Sequence, residues 1–337
     1  MKHPYCGLFE YCVQLGKALQ TCIAPEDQIT YYVPEAYENY FGNSAACRIH
    51  SAVHRVFPVT VKHADIIHAN PALIKCTGKM KRIITIHDLN FRYEKSSQRK
   101  INKYLKIFQH NVDKADAIIT ISEFAKTDIV NHLKTGDKPI VVIYNGCHVS
   151  EYPDYDAPAY RPARPFLFSI GTVVPKKNFH VLPCLLAHTD YELIIAGKGH
   201  NDYIGKIIEE AKKHAVEHRV KVLGPVNAED KYWYLKHCAA FLFPSLAEGF
   251  GIPPVEAMHF GKPVFLSTKT SLPEIGGPYA YYFDDFAPEN MRRVFETGMN
   301  HYAQTNPASL IIGYAGRFTW DKSAKACLDV YKSVLQS

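Results

Sequence analysis

The chain alternates short apolar runs with amphipathic stretches, and this alternation gives the first indication of its architecture. In the first half, strands are predicted at residues 29–33, 66–68, 83–86, 117–121 and 140–144. Helical stretches separate several of these runs, and a further helix is predicted at residues 10–19, ahead of the first strand. Strands that alternate with helices favour a parallel, doubly wound sheet.

The pattern changes at residues 152–165, which hold four prolines in 14 residues. Proline fixes φ and lacks an amide hydrogen, so this stretch sustains neither a helix nor a central strand, and we interpret it as an interdomain linker. Beyond it, strands are predicted at residues 166–170, 192–196, 220–223, 240–243, 263–266 and 280–283, with helices at 201–218, 228–237 and 253–260. The second half therefore predicts another Rossmann-like domain.

These patterns give an α/β fold with two Rossmann-like domains, at residues 1–155 and 156–320, and a C-terminal helical segment at 321–337. A length of 337 residues agrees with two domains at roughly 100–200 residues each. The first domain opens on a helix where a strand is usual. Either its first strand is missing from this sequence or its sheet has one strand fewer.

Composition narrows the class of protein. Hydrophobic residues at 47% and charged residues at 21% are globular values that exclude a disordered chain. The net charge of +6 permits an anionic ligand but is small for a nucleic-acid-binding domain. Nine scattered cysteines, never spaced as C-x2-C, predict neither a zinc site nor a disulfide framework. With no leader-like or membrane-spanning apolar run, we expect a cytoplasmic protein.

Residues 243–258 carry the most informative pattern. A strand ends at Pro244, a glycine-containing loop follows, and Pro253 suits the first turn of a helix. The free amides of such a helix terminus form an anion site, here from Gly249, Phe250, Gly251 and Ile252. Glu248 and Glu256 flank this site and suit sugar and ribose hydroxyls. Alternatively, Glu256 only offsets the helix dipole and Glu248 is solvated.

A second group of residues, 169–178, lies at the end of the first strand of the same half. Gly171 permits close approach of a ligand, and Lys176 and Lys177 supply positive charges for phosphates. Two lysines alone are more often a solvated turn. At the same sheet edge as an anion site, they become candidates for clamping a diphosphate.

Several motifs occur in an order that resembles the retaining GT-B glycosyltransferases of family four. In the second half these are Gly171-Thr172 with Pro175-Lys176-Lys177-Asn178, Gly197-Lys198-Gly199, Glu248 through Ala257, Gly261-Lys262-Pro263-Val264, Ser271-Leu272-Pro273-Glu274-Ile275 and Phe318-Thr319-Trp320. The first half adds Thr85-Ile86-His87-Asp88-Leu89, residues 115–124 and Tyr144-Asn145-Gly146. The resemblance covers almost the whole chain and implies two domains that face a cleft.

The resemblance implies a role for each matching position. Lys176 and Lys177 would clamp the donor diphosphate, and Gly171 would lie beside it. Glu248 would lie near the donor hexose and Glu256 would hold the nucleotide ribose. The remaining matching positions are the amides of Phe250, Gly251 and Ile252 at the phosphates or hexose, Gly224 and Val226 near the base, and Gly7 in a loop facing the donor. Relatives often have arginine where this chain has Thr172, which removes part of that clamp.

The family also implies that His87, which follows a strand, lies beside the donor sugar and acceptor, so His87, Lys177 and Glu248 are the predicted catalytic residues. By itself, His87-Asp88 is more often a capped loop than a catalytic pair. No cofactor and no metal is expected, because no metal-spaced cluster of His and Cys occurs and because relatives neutralise the diphosphate with lysines and helix dipoles. The C-terminal helix is expected to pack on the first domain.

The predicted activity is transfer of a hexose from a nucleotide-diphosphate sugar to a glycan or lipid-linked acceptor, in bacterial surface polysaccharide synthesis. A basic stretch that holds Lys95, Arg99, Lys100, Lys103 and Lys106 among apolar residues is either a solvated helix face or a contact with an anionic membrane at its inner face. Two alternatives remain, a GT-B sugar-nucleotide epimerase and a non-catalytic glycan- or nucleotide-binding protein. No aromatic platform supports nucleic-acid binding.

Overall fold

A computed structural model describes residues 7–42, 45–50, 59–60, 64–70, 76–77, 79–94 and 96–337. The chain divides into two compact units. Unit 1 comprises residues 1–146 and 318–337, and unit 2 comprises residues 147–317. Both units combine parallel strands with helices, so the predicted α/β class is confirmed.

Unit 1 is built on a four-stranded parallel sheet. The unit contains the strands β1 (Thr30–Val33), β2 (Ala46–Ile49), β3 (Val59–Thr60), β4 (Ile66–Ala69), β5 (Cys76–Thr77), β6 (Lys81–Ile86), β7 (Ala117–Thr120) and β8 (Ile140–Val142). The sheet order is β4-β6-β7-β8, while β1 pairs with β2 and β3 with β5. Ile83, Ile84 and Ile118 are fully buried, as expected for a sheet covered on both faces.

The helices of unit 1 come from both ends of the described chain. They are α1 (Gly7–Cys22), α2 (Gln98–Lys114), α3 (Glu123–His132) and the last helix, α10 (Trp320–Gln336). Helix α10 packs against α1. The Ser323 hydroxyl donates to the Tyr144 carbonyl at 2.6 Å, and a Cβ on Gly146 would lie 2.3 Å from the Trp320 amide nitrogen. Residues 318–337 are therefore an integral part of unit 1.

Unit 2 contains one six-stranded parallel sheet. Its strands are β9 (Phe166–Ile170), β10 (Glu192–Ala196), β11 (Val220–Gly224), β12 (Ala240–Phe243), β13 (Val264–Ser267) and β14 (Tyr281–Phe283). Its helices are α4 (Asn201–Lys213), α5 (Ala228–His237), α6 (Ile252–His259), α7 (Leu272–Gly276), α8 (Pro288–Thr305) and α9 (Ala308–Ala315). The sheet order is β11-β10-β9-β12-β13-β14, which is the order of a Rossmann sheet with its reversal between β9 and β12.

The proline-rich segment lies inside unit 2 and not between the units, so the boundary falls before residue 147 and not at 155. Contacts with the body of unit 2 explain this position. The Tyr155 hydroxyl donates to Asp230 of α5 at 2.7 Å, and the Tyr160 hydroxyl donates to Glu192 of β10 at 2.6 Å. A segment that cannot form a helix or strand is thus fixed by its tyrosines.

Candidate functional site

The reversal of strand order in unit 2 brings two loops together. Residues 171–177 follow β9 and residues 244–251 follow β12, and the two strands are neighbours in the sheet. The Leu246 amide donates to the Lys176 carbonyl at 2.8 Å. In Rossmann-type sheets, ligands bind at this point, outside the carboxyl ends of the strands. The two groups of residues singled out from the sequence therefore meet at one sheet edge.

An ion pair joins these two loops. Lys177 Nζ lies 2.5 Å from Glu248 Oε1, and the two side chains are only 12% and 14% exposed. The Ser245 hydroxyl donates to the same carboxylate oxygen. Lys177 Nζ also lies 4.6 Å from the centroid of the Phe243 ring, which adds a favourable cation–π contact. The predicted cation and the first predicted glutamate thus occupy one partly shielded position.

The backbone around Glu248 is held by the loop that follows β13. The Glu248 amide donates to Thr270 Oγ1 at 2.9 Å. The buried Ser271 hydroxyl lies 3.0 Å from the carbonyl oxygens of both Glu248 and Phe250. Thr270 lies in none of the recognised motifs, and Ser271 is only the first residue of one of them. These contacts fix the loop that carries Glu248.

Glycines occupy the carboxyl ends of β9, β10 and β11. Gly171, Gly197 and Gly224 all have positive φ values, at 154°, 134° and 76°. At Gly197 a Cβ would lie 1.9 Å from the Gly171 carbonyl oxygen, so no larger residue fits. A Cβ at Gly171 would lie 3.3 Å from Lys177 Cε. Gly224, at the end of β11, and Val226, two residues later, lie at the same edge, two strands from β9.

Helix α6 begins at Ile252, directly after the loop. Its N-cap Gly251 has a φ of 114°, a conformation that favours glycine. Gly249 and Phe250 precede the helix, and Pro253 and Pro254 in its first turn carry no amide hydrogen. Ile252 is therefore the one residue among the first three of the helix that offers an N–H at its positive end.

Glu256 lies on the second half of the same helix and is 6% exposed. Its Oε1 accepts a hydrogen bond from Lys231 Nζ of α5 at 2.7 Å. Although burial lowers the pKa of Lys231, the adjacent Glu256 carboxylate raises it above its usual value. Burial raises the pKa of the Cys147 thiol, and Glu256 raises it further. Lys231 belongs to no motif, and sequence reasoning missed it.

In unit 1, His87 follows β6. The Tyr11 ring packs nearly perpendicular to its imidazole, with the ring centroids 4.4 Å apart. Its Nε2 is buried and has no hydrogen-bond partner among the described residues. Burial, and secondarily His68, lower the pKa of His87 to about 3. The imidazole is therefore neutral at pH 7 and suits a hydrogen bond with a hydroxyl better than neutralisation of a phosphate.

Gly7 differs from its prediction. It is the first residue of α1 and not part of a loop, because Phe9, which precedes the predicted start at residue 10, is already a buried position of the helix. Residues 1–6 lie outside the described residues.

Comparison with known proteins decides the family. A family model described as glycosyl transferases group 1 matches residues 157–296, and one described as glycosyltransferase family 4 matches residues 23–151. The chain belongs to the group 1 glycosyltransferases of family four. The first match lies within unit 2 and contains every predicted donor-binding residue of that unit. The second lies almost wholly within unit 1 and contains His87.

Several curated relatives of this glycosyltransferase are mannosyltransferases. The chain is 27% identical over 248 residues to the serotype-specific mannosyltransferase WbdA of Escherichia coli. This alignment covers 67% of the chain and 30% of WbdA. It is 25% identical over 289 residues to the O-antigen chain mannosyltransferase B of E. coli, covering 80% of the chain and 75% of that relative. The chain thus spans under a third of WbdA and three quarters of the shorter relative.

A solved structure shows the same fold. Anabaena HepE, determined in complex with UDP and glucose, superimposes with a TM-score of 0.69 at 15% identity, over 97% of this chain and 96% of HepE. The predicted GT-B architecture is therefore confirmed.

Two further properties concern the described residues alone. Their His, Cys, Asp and Glu side chains form no group of three placed to hold a metal ion. Among the helices of the described ranges, none combines the length and apolar character needed to cross a bilayer.

Proposed function

We propose that this glycosyltransferase moves a hexose from a nucleotide-diphosphate sugar to a hydroxyl of a glycan or lipid-linked acceptor, with retention of anomeric configuration. The observation that carries the proposal is the Lys177–Glu248 pair at the strand-order reversal, beside the N-terminus of α6. The named mannosyltransferase relatives favour mannose as the sugar and bacterial surface polysaccharide as the product. The UDP and glucose bound to HepE support a nucleotide-sugar donor.

The chemistry requires charge stabilisation more than a nucleophile. When the bond between the anomeric carbon and the diphosphate oxygen breaks, negative charge accumulates on the diphosphate and positive charge on the sugar. The Lys177 ammonium and the helix terminus at Ile252 stabilise the diphosphate, and the Glu248 carboxylate binds a hexose hydroxyl. The acceptor oxygen attacks the face from which the diphosphate leaves. A phosphate oxygen takes the acceptor proton, which balances the step.

His87, in unit 1, is the third predicted catalytic residue. Its neutral imidazole, with a buried and unpartnered Nε2, is suited to exchange a hydrogen bond with a sugar or acceptor hydroxyl. It does not act as the cation that neutralises the diphosphate, because a pKa of about 3 leaves it uncharged at pH 7.

A nucleotide-sugar screen tests the activity. The purified protein is melted with UDP-glucose, UDP-galactose, GDP-mannose and dTDP-glucose, and the donor should raise the melting temperature because it binds only the folded state. The stabilising donor is then incubated with synthetic acceptors, and the anomeric proton of the product is examined by NMR. An inverted product contradicts retention. An epimerised nucleotide sugar without acceptor identifies an epimerase, and binding without transfer or hydrolysis identifies a non-catalytic protein.

The acceptor side of the proposal includes an anionic membrane surface. Helix α2 exposes Arg99, Lys103 and Lys106 along one stripe and Lys100, Tyr104 and Ile107 along the next. Tyr104 is 38% exposed and Ile107 45% exposed, while Leu105 and Phe108 pack inward against a cluster of buried residues. Lysines next to exposed apolar side chains are typical of helices that bind the surface of anionic bilayers. Lys95 lies outside the described residues.

Liposome flotation tests this contact. The double variant Lys103→Glu, Lys106→Glu should lose binding to vesicles that contain phosphatidylglycerol, because each basic residue near such a surface contributes about 1 kcal/mol. The matched control is Lys212→Glu, Lys213→Glu on α4 of unit 2, which should float as the wild type does. Equal flotation of the α2 variant and the wild type would remove the membrane from the proposal.

A further inference from the structure

The buried carboxylate of Glu256 is paired with a cation that no sequence motif marks. Lys231 Nζ lies 2.7 Å from Glu256 Oε1, and the two side chains are 25% and 7% exposed. Lys231 is the fourth residue of α5, and Glu256 is the fifth residue of α6. The pair therefore crosses between the two helices that flank β12 along the chain.

Lys231 is held in place by its own neighbours. Its Nζ lies 4.5 Å from the centroid of the Tyr232 ring. The Tyr232 hydroxyl in turn donates to the His148 carbonyl at 3.1 Å. The ammonium group thus lies between an aromatic face and a carboxylate, which restricts a side chain that is otherwise flexible.

This arrangement determines which oxygen of Glu256 meets a ligand. Within the part of the chain that the structure describes, Oε1 is the oxygen that accepts from a side chain. A carboxylate that is 7% exposed loses much of its hydration, and the adjacent ammonium group offsets that cost. Because Lys231 holds Oε1, the carboxylate has a fixed orientation in which Oε2 can accept hydrogen bonds from ligand hydroxyls.

We propose that Lys231 is a positioning residue: it binds Glu256 Oε1 and so presents Oε2 to the ribose hydroxyls of the donor nucleotide. The inference rests on the proposed function and on the role that the family resemblance implies for Glu256, which is to hold the nucleotide ribose. It adds that the affinity for ribose depends on a residue which does not contact the ribose itself. It also assigns α5, a helix outside all of the recognised motifs, a part in donor recognition.

Comparison of a ribonucleotide with its deoxy counterpart tests the proposal. Calorimetry gives the affinity of the full-length protein for UDP and 2′-deoxy-UDP, with GDP and 2′-deoxy-GDP as the second pair. The variants are Lys231→Met, Lys231→Arg, Glu256→Gln and the double variant Lys231→Met, Glu256→Gln. The control is Lys236→Met, on the same helix, where Nζ lies 4.0 Å from Glu151 on the surface.

We expect wild type and the Lys236→Met control to prefer the ribonucleotide about tenfold, the effect of one hydrogen bond to a charged group. In Lys231→Met, ribonucleotide affinity should fall about tenfold while deoxynucleotide affinity barely changes, so that the preference disappears. Lys231→Arg should restore the preference. The double variant should bind no more weakly than Glu256→Gln, because both changes remove the same interaction.

Three outcomes overturn the inference. An unchanged ribose preference in Lys231→Met would show that the lysine has only a structural role, even if the variant melts at a lower temperature. Equal losses for both nucleotides would mean that Lys231 contacts the phosphates directly. If Lys231→Met does not fold, the double variant, which carries no unpaired buried carboxylate, replaces it, and weaker ribonucleotide binding by the double variant than by Glu256→Gln contradicts the inference. Wild-type protein that binds no nucleoside diphosphate would instead contradict the proposed function itself.

Discussion

At the scale of single residues, Glu248 connects several parts of the site. Its side chain binds Lys177 and Ser245, while its backbone amide and carbonyl contact Thr270 and Ser271. The motif around Glu248 indicated a carboxylate at this edge. It could not indicate Thr270 and Ser271, because contacts between residues more than 20 positions apart depend on how β12 and β13 pair. The sequence predicted the charges of the site, and the fold supplied what holds them.

Lys177→Ala should reduce turnover by about two orders of magnitude, because in the proposed mechanism its ammonium group stabilises the leaving diphosphate. Initial rates of sugar transfer at saturating donor measure the effect. Lys213→Ala, which removes an exposed lysine paired with Glu210, is the control and should keep the wild-type rate. Wild-type turnover in Lys177→Ala would exclude this residue from catalysis.

At the scale of elements, the predicted bounds in unit 2 agree closely with the structure except at the end of α4. The strands of unit 2 lie within one or two residues of their predicted bounds, because their continuous apolar runs are typical of buried parallel strands. Helix α4 instead ends at Lys213 and not at 218. Ala215 adopts a φ of 57° and breaks the helix, a left-handed conformation that alanine rarely takes. Composition alone does not reveal such a position.

Gly197→Ala should destabilise unit 2 by about 3 kcal/mol or more, because a Cβ there meets the Gly171 carbonyl and the backbone conformation is unfavourable for alanine. The matched control is Gly205→Ala, inside α4, where a Cβ has no atom within 4 Å. The control should be stabilised by up to about 1 kcal/mol through helix propensity. Calorimetric melting curves give both values, and equal melting of the two variants would contradict the prediction.

At the scale of the whole molecule, the sequence predicted two Rossmann-like units and most of the charged residues that meet at the candidate site. It did not predict that the proline-rich segment belongs to unit 2, because that depends on hydrogen bonds from Tyr155 and Tyr160 to residues far along the chain. The sequence did not indicate Lys231 for the same reason, since the contact that gives it a role is with Glu256, 25 positions along the chain. Patterns that repeat locally were predictable, and pairings created by the fold were not.

The stability of unit 1 should fall as the pH drops from about 6.5 to about 4. Burial lowers the pKa of His68 to about 4, whereas an unfolded histidine takes up a proton below about pH 6.5. In this window the unfolded chain therefore binds more protons than the folded unit, and the folded unit is disfavoured. Below about pH 4 both states are protonated at this group, and its contribution no longer changes.

The variant His68→Gln should flatten this pH dependence, because it removes the titrating group at the contact between β4 and α10. Urea unfolding at several pH values, monitored by hydrogen exchange of the amides of unit 1, measures the free energy of unfolding of this unit. The exposed residue His218, in unit 2, provides the control, and His218→Gln should retain the wild-type curve. A slope as steep in His68→Gln as in the wild type would contradict the assignment.

Because α10 completes unit 1 from the far end of the described chain, the two units cannot mature in the order in which they are translated. All residues of unit 2 are synthesised before residues 318–337. Until then, the faces of α1 and β4 that α10 covers remain open in the nascent chain. Unit 2 can therefore fold first. Until α10 is made, the incomplete unit 1 is accessible to chaperones and susceptible to aggregation.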